Sequence, residues 1–448
     1  MPSKDSFLPR RSAGVLLPVS ALPSGSDIGT FGEGARLFID ALFSAGVEFW
    51  QILPLNIAGK GNSPYSSPSA FAISPLYFDQ NQEIIPGAYT DYRKARRKKI
   101  NTEDFDYSSP DFLRFCQKNE FWLEPFVKFS GGGKEIGAVQ YLVRNQWDSL
   151  KAYANSKGVK IIGDLPIYVS AVSADVKANP SLFAVGKDFT PLSVAGVPPD
   201  IFSSDGQLWG NPIYNWTAHK NTDFRWWIKR LEYSLELFDY IRIDHFRAFS
   251  SYYSIPYGSK TAKAGVWEYA PGRELFSKAK EKLGKMNIIA EDLGLPTPDV
   301  AELLRFTGFP GMKILQFGFS GDKTNPFKMQ NHPACSVCYT GTHDNDTTAH
   351  WYDTLTEDER AAFNEEVPKY GGLPPAHRLI RYGAESKSEL FIIPAQDLLN
   401  LGAEARFNAP STEHGNWEWR ISKEQISELP EIIKELLPNS DRIKPPMN

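Results

Sequence analysis

A chain of 448 residues, 42% hydrophobic and 23% charged, carries enough apolar side chain for a large core, and no stretch approaches ~18 consecutive apolar residues, so no membrane-spanning helix is expected. A net charge of −4 with a pI near 6.1 argues against a polyanion-binding protein and suits an uncharged substrate. The one basic run, Arg93 to Lys99, reads as a solvated helix face rather than a nucleic-acid contact.

Eight strand candidates follow in chain order: GVLLPVS (14–20), EFWQILPL (48–55), VKIIGDLPIYV (159–169), YIRIDHF (240–246), NIIAEDLG (287–294), MKILQFGF (312–319), SVCYTGTHD (336–344) and LFIIPAQDLL (390–399). Each is a short apolar run, and helical patterns separate most of them. ARLFIDALFSAG (35–46) ends on Gly46 and GRELFSKAKEKLG (272–284) on Gly284, both suited to ending a helix. TPDVAELLRFTG (297–308) offers Thr297 as N-cap and Pro298 as the first helical residue. Eight alternations of strand and helix predict a (β/α)8 TIM barrel, with a doubly wound sheet as the rival.

The chain is expected to form one catalytic barrel over 1–448. Two gaps exceed a plain strand-to-helix connection. Residues 56–158 read as a helical insertion between the second and third barrel strands. Residues 170–239 read as an insertion carrying a substrate-covering loop, GVPPDIFSSDGQLWGNPIYNW, before the next barrel strand. Both insertions are expected at the C-terminal rim. An amphipathic helix is expected near SKEQISELPEIIKELL.

Pro9 to Gly25 imitates a secretory signal, with paired arginines and an apolar run. That run is short and broken by Pro18, so it reads as the first strand. Three cysteines cannot build a disulfide framework and point to a reducing, cytoplasmic setting. Cys335 and Cys338 form a CxxC without a second pair, and read as structural thiols.

Three of the apolar runs end in acids: Asp244, Glu291 and Asp344. In a barrel the C-terminal strand ends converge on one face, and carboxylates gathered there are the equipment of glycoside chemistry. Arg242 lies two residues before Asp244, hence on the same strand face, where its charge favours an ionised nucleophile. His245 faces the other way unless the strand has already ended. Glu291 and Asp292 cannot both point into one site, and their chemistry alone does not choose between them. GTHDND brings His343, Asp344 and Asp346 together, either as a clamp on sugar hydroxyls or as the start of a metal site. No GxGxxG or GxxxxGK[ST] opens a helix after a strand, so no organic cofactor is expected.

Taken together, RSAGVLLPVSALPS, FWQILPL, GNSPYSSPSAFAISPLY, IIGDLPIYVS, GVPPDIFSSDGQLWGNPIYNW, IRIDHFRAF, AEDLG, TGFPGMKILQF, YTGTHDNDT, ARFNAPST and GNWEWR run nearly end to end. The chain resembles the 4-α-glucanotransferases of the amylomaltase, or disproportionating-enzyme, family, related to the α-amylase superfamily. That resemblance implies retaining transfer of α-1,4-glucan segments to the 4-hydroxyl of an acceptor glucan; no metal is expected, because GTHDND lacks the remaining ligands of a recognisable site. It implies Asp244 as nucleophile, Glu291 as acid/base and Asp344 as transition-state stabiliser. It implies that Arg242, His245 and His343 position the nucleophile and the sugar. Asp164 is then a partner of Arg242, and Tyr65 is the ring under the donor sugar. Asp200, Gln207 and Trp209 border the acceptor side, and Asn408 belongs to the tail motif. Asn62 and Ser411 depart from the family's usual acidic residue and glycine. A retaining α-glucan hydrolase is the rival enzyme, and a non-catalytic glucan-binding barrel the rival from another class. Maltooligosaccharides are the expected donors and acceptors, with neither nucleic acid nor membrane as partner.

Overall fold

The computed structural model describes residues 6–25, 28–79, 100–199, 203–294, 297–410, 412, 414–438 and 440–444. In chain order the strands are β1 (Ser12–Leu16), β2 (Phe49–Gln51), β3 (Lys160–Leu165), β4 (Ser193–Val197), β5 (Gln207–Pro212), β6 (Tyr240–Ile243), β7 (Ser251–Pro256), β8 (Val266–Tyr269), β9 (Ile288–Ala290), β10 (Gly311–Ile314), β11 (Ser336–Tyr339) and β12 (Leu390–Pro394). Eight of them close a parallel barrel in the order β1, β2, β3, β6, β9, β10, β11, β12, and β12 pairs back onto β1 from Ser12 with Leu390 to Leu16 with Pro394. These eight are the strands predicted from the sequence, each shorter than its apolar run. The last residues of most runs leave the ladder and become the rim.

Side-chain alternation splits the core in two. Leu16, Ile162, Ile289, Met312 and Tyr339 fill the barrel interior, while the outward residues of the same strands join a larger cluster beneath the helices. Gly14 is needed for the inner packing: a Cβ there would stand 2.5 Å from Ile392 Cδ1 and 2.7 Å from Phe49 Cβ.

The helix Glu33–Ser44 stops at Ala45, and Gly46 follows with φ 74°, where a glycine costs least. Pro298 opens the helix Pro298–Thr307 as expected, though Thr297 at its N-cap makes no side-chain bond to the helix backbone. The helix Lys423–Leu436 carries a reciprocal capping box between Ser422 and Gln425. Between β2 and β3, residues Pro110–Ser130 and Lys134–Ser156 form two long helices. The basic run Arg93 to Lys99 lies outside the described residues.

The chain between β3 and β9 departs from a simple loop. β4, β5, β7 and β8 pair antiparallel in the order β5, β4, β7, β8, a second sheet that the sequence pattern did not reveal. β4 and β5 are interrupted by Gly196 and Gly210, β7 is buried on both faces through Ile255 and β8 is exposed along its whole length, so none shows the alternation that marks a half-buried strand. No helix of the described residues is long and apolar enough to cross a membrane.

Candidate active site

β3 and β6 are neighbours in the barrel, with Asp164 opposite Arg242 in register. Both side chains point inward, and both are almost fully buried. Arg242 donates from Nε to Asp164 Oδ1 at 3.0 Å and from Nη2 to Asp164 Oδ2 at 2.9 Å, a two-pronged bond that fixes the guanidinium plane. The same Nη2 reaches Asp244 Oδ1 at 3.1 Å. Burial by itself would lower the Arg242 pKa, but the charges of Asp164 and Asp244 hold it well above its ordinary value. Asp244 follows the end of β6; its backbone N–H still donates to Leu165 O at 3.0 Å, and its side chain keeps 30% of its surface open to the cleft.

Because the strand has ended, His245 does not alternate to the far face. It takes a left-handed conformation, φ 49°, which turns its backbone N–H onto Glu291 Oε2 at 2.6 Å. Leu293 N–H donates to Glu291 Oε1 at 2.8 Å, so both oxygens of that carboxyl are held by main chain. Asp292 goes elsewhere: its Oδ1 accepts from Met312 N at 2.7 Å, and Lys313 Nζ lies 3.6 Å from its Oδ2. The geometry thereby separates two adjacent acids whose chemistry did not, putting Glu291 in the cleft and Asp292 at the β9–β10 junction.

Burial pushes the Asp244 carboxyl well above the usual carboxylate range; Arg242 pulls it down, while Asp164, Glu291 and Asp344 push it up again. Burial also raises Glu291, opposed by Arg242 and by the two main-chain donors. The pull of Arg242 expected at Asp244 is present, and it is opposed by desolvation and by three nearby carboxylates. Burial lowers His245 to about 3 and lowers His343 as well, so both imidazoles are neutral at neutral pH.

Asp344 lies in the loop after β11, facing the tail. Its Oδ1 accepts from Asn408 Nδ2 at 2.6 Å, and His343 Nε2 stands 3.5 Å from the same oxygen. Tyr65 joins the two halves of the site. Its hydroxyl donates to Asp164 Oδ2 at 2.5 Å, accepts from Arg242 at 3.3 Å and lies 2.9 Å from His343 Nε2. The Tyr65 and His343 rings are stacked, with centroids 5.5 Å apart and planes within 10°. Across the cleft, Trp209 meets the His245 ring edge-on at 4.8 Å and donates from Nε1 to Gln207 Oε1 at 3.0 Å. Asp200 and Ser411 lie outside the described residues.

Two residues were missed by sequence reasoning. Trp417 lies 6.3 Å from the Tyr65 ring and 6.1 Å from His343, in a left-handed conformation with φ 67° that few non-glycine residues adopt. It also lines a cavity of about 110 Å³ shared with Asn62, Pro64, Asn416 and Arg420. Arg406, the second, bonds to the Asp344 loop. Only the motif GNWEWR pointed toward Trp417, and it did not say which tryptophan turns inward. Cys338 is buried, whereas Cys335 and Cys116 are half-buried, and all three are free thiols. Among the described residues no three His, Cys, Asp or Glu side chains gather as a metal site.

A family model described as 4-alpha-glucanotransferase matches residues 17–132 and 133–426. The chain belongs to this family. A 4-alpha-glucanotransferase of Streptococcus pneumoniae is 39% identical, over 93% of this chain and 94% of its own. The chloroplastic/amyloplastic 4-alpha-glucanotransferase of Solanum tuberosum is 36% identical, over 92% of this chain and 82% of its own. Among solved structures, the amylomaltase from Streptococcus agalactiae in complex with acarbose matches with a TM-score of 0.90 and 37% identity, covering 97% of this chain and 100% of that one.

Proposed function

We propose that this member of the 4-α-glucanotransferase family moves segments of α-1,4-glucan by a retaining double displacement in the cleft formed by Asp244, Glu291 and Asp344. The reading rests above all on one observation: Asp244 and Glu291 follow adjacent barrel strands, are raised together by burial, and Asp244 alone touches the Arg242 guanidinium. Of the two, the Arg242 contact favours the charged form of Asp244 against the burial that raises both carboxyls, and Glu291 lacks that contact; this supports Asp244 as nucleophile and Glu291 as acid.

In the first displacement an Asp244 oxygen attacks the anomeric carbon while Glu291 protonates the departing glycosidic oxygen. In the second, Glu291 takes the proton from the 4-hydroxyl of an acceptor glucan, which attacks the glycosyl-enzyme and frees Asp244. Asp344, with neutral His343, Arg242 and neutral His245, holds the sugar and steadies the positive charge that develops on its ring. Tyr65 supplies a face under the donor sugar, and Trp417 extends that aromatic wall toward the adjoining cavity. Gln207 and Trp209, with Asp200 in the same segment, border the acceptor. An acceptor seated there occupies the place a hydrolytic water would need. Maltooligosaccharides serve both as donors and as acceptors. We place the protein in the cytoplasm, where its three free thiols would stay reduced.

The experiment is to treat Glu291→Gln with α-maltosyl fluoride, whose leaving group needs no acid. Mass spectrometry should find a maltosyl adduct on the peptide carrying Asp244. An adduct on any other residue, or products of inverted anomeric configuration, overturns the mechanism.

A further inference from the structure

Asp344 is the most open of the three acids, with 48% of its side-chain surface exposed. It follows the last residue of β11 by five positions and lies on a turn rather than a strand. Thr342 and Asn345 brace the turn, through bonds of 2.9 and 2.8 Å from the Thr342 N–H and hydroxyl to Asn345 Oδ1. Such a turn does not by itself fix where a carboxylate points. The side-chain donor that grips it, at 2.6 Å, is Asn408.

One cation ties these pieces together. Arg406 donates from Nη2 to Asp344 O at 3.2 Å, from Nη1 to Asp346 Oδ2 at 3.1 Å, and from Nε to Asn408 O at 2.9 Å. The three bonds end on the main chain of Asp344, on the acid two residues later, and on the main chain of the residue that grips Asp344. His350 Nδ1 meets Asp346 Oδ2 at 2.7 Å and steadies the far end. A planar guanidinium can serve three acceptors in these directions at once, whereas a lysine ammonium offers a single point of attachment.

We propose that Arg406 is a positioning residue for the transfer reaction, locking the tail segment 406–408 against the turn 342–346 so that the Asp344 carboxylate stands at a fixed place over the reacting sugar. The inference rests on the role proposed for Asp344. In this role Arg406 acts through Asp344 and Asn408. An exposed carboxylate on an untied turn would still bind sugar hydroxyls while meeting the developing charge in fewer of its orientations. Loss of Arg406 therefore falls on turnover more than on substrate binding.

The test is a double-mutant cycle read from initial rates on maltotriose, with Arg406→Gln, Asp344→Asn and the double variant. Arg406→Gln should lower kcat by about a hundredfold, the scale of a misplaced catalytic group, with little change in KM. Arg406→Lys should recover part of that loss. In the Asp344→Asn background, Arg406→Gln should cost almost nothing further. If the two losses multiply, Arg406 acts elsewhere and the proposal is overturned; so it is if Arg406→Gln keeps kcat within a factor of about two of the wild type. Should Arg406→Gln fail to fold, the same cycle run with Arg406→Lys supports or overturns the proposal by the same two comparisons. If Asp344→Asn turns over like the wild type, the role of Asp344 falls and the clamp with it. A wild type that hydrolyses instead of transferring overturns the assigned reaction alone, because the cycle is then read from hydrolysis rates.

Discussion

Replacing Asp164 by Asn keeps the shape of the side chain and removes one of the two oxygens that hold Arg242. The amide presents an NH2 to a guanidinium that has only donors, so one prong of the pair is lost and a nearly fully buried cation is left partly uncompensated. Breaking a buried ion pair by removing one partner typically costs ~3–5 kcal/mol. Here Arg242 retains Asp244 at 3.1 Å, and one carbonyl oxygen survives at position 164, which places the loss at the low end, about 3 kcal/mol. Scaled down from the ~2–4 °C per kcal/mol found for proteins of half this size, the melting temperature should fall by roughly 3–6 °C. With its oxygen at the Oδ2 position the amide keeps Tyr65 and Arg242 Nη2 and loses Arg242 Nε, and the loosened guanidinium leans toward Asp244. A shift of that carboxylate should lower turnover on maltotriose by about a hundredfold. Calorimetry and initial rates measured on the same preparation decide the matter. A variant that melts and turns over with the wild type refutes the reasoning. One that loses stability but not activity shows that the pair holds the barrel without placing the nucleophile.

Asp244→Asn and Glu291→Gln should each cost at least about a thousandfold in rate while melting near the wild type; either one keeping more than about a tenth of the rate gives up ~1.4 kcal/mol or less and does not hold its assigned role. Trp209→Ala should transfer more slowly and send a larger share of turnovers to hydrolysis, read as reducing ends formed per bond broken; an unchanged share removes this ring from acceptor capture. Away from the cleft, burial raises Asp175 to about 6, against ~3.9 in the unfolded chain. The folded state therefore binds the extra proton, and this residue's contribution to stability is full below the unfolded value and lost as pH rises through about 6. Asp175→Asn should gain on the wild type in melting temperature from pH 4 to pH 6 and hold a constant offset above, and a gap that does not change with pH contradicts this.

The barrel was legible because its eight strands are buried on both faces, and so read as unbroken apolar runs whatever their exact ends. Asp244 and Glu291 stood out for a related reason, since a charge directly after such a run sits at the rim; Asp344, five residues past β11, stood out through the GTHDND motif instead. The second sheet left no comparable mark. β4 and β5 carry Gly196 and Gly210, β8 is exposed along its length, and β7 is too short a run between them to stand out, so composition pointed to loop. Between Glu291 and Asp292 the chemistry of the pair did not choose and only the resemblance did, because the choice depends on where β9 ends and on the N–H groups of His245 and Leu293. The role of Arg406 did not show because two of its three acceptors, Asp344 O and Asp346 Oδ2, lie more than fifty residues away and only the closed barrel brings them to it. The balance of charge at Asp244 was legible only in part. Sequence shows the neighbouring arginine, but not the desolvation that opposes it.

The central claim is that the glycosyl-enzyme on Asp244 is passed to a sugar rather than to water, and the product spectrum of maltotriose tests it most directly. Chromatography should show glucose together with a ladder of chains longer than the substrate, while the total of reducing ends stays nearly constant, since each bond broken is replaced by a bond formed. A steady rise in reducing ends, with glucose and maltose accumulating and no longer chains, would contradict the account and make this cleft that of a hydrolase.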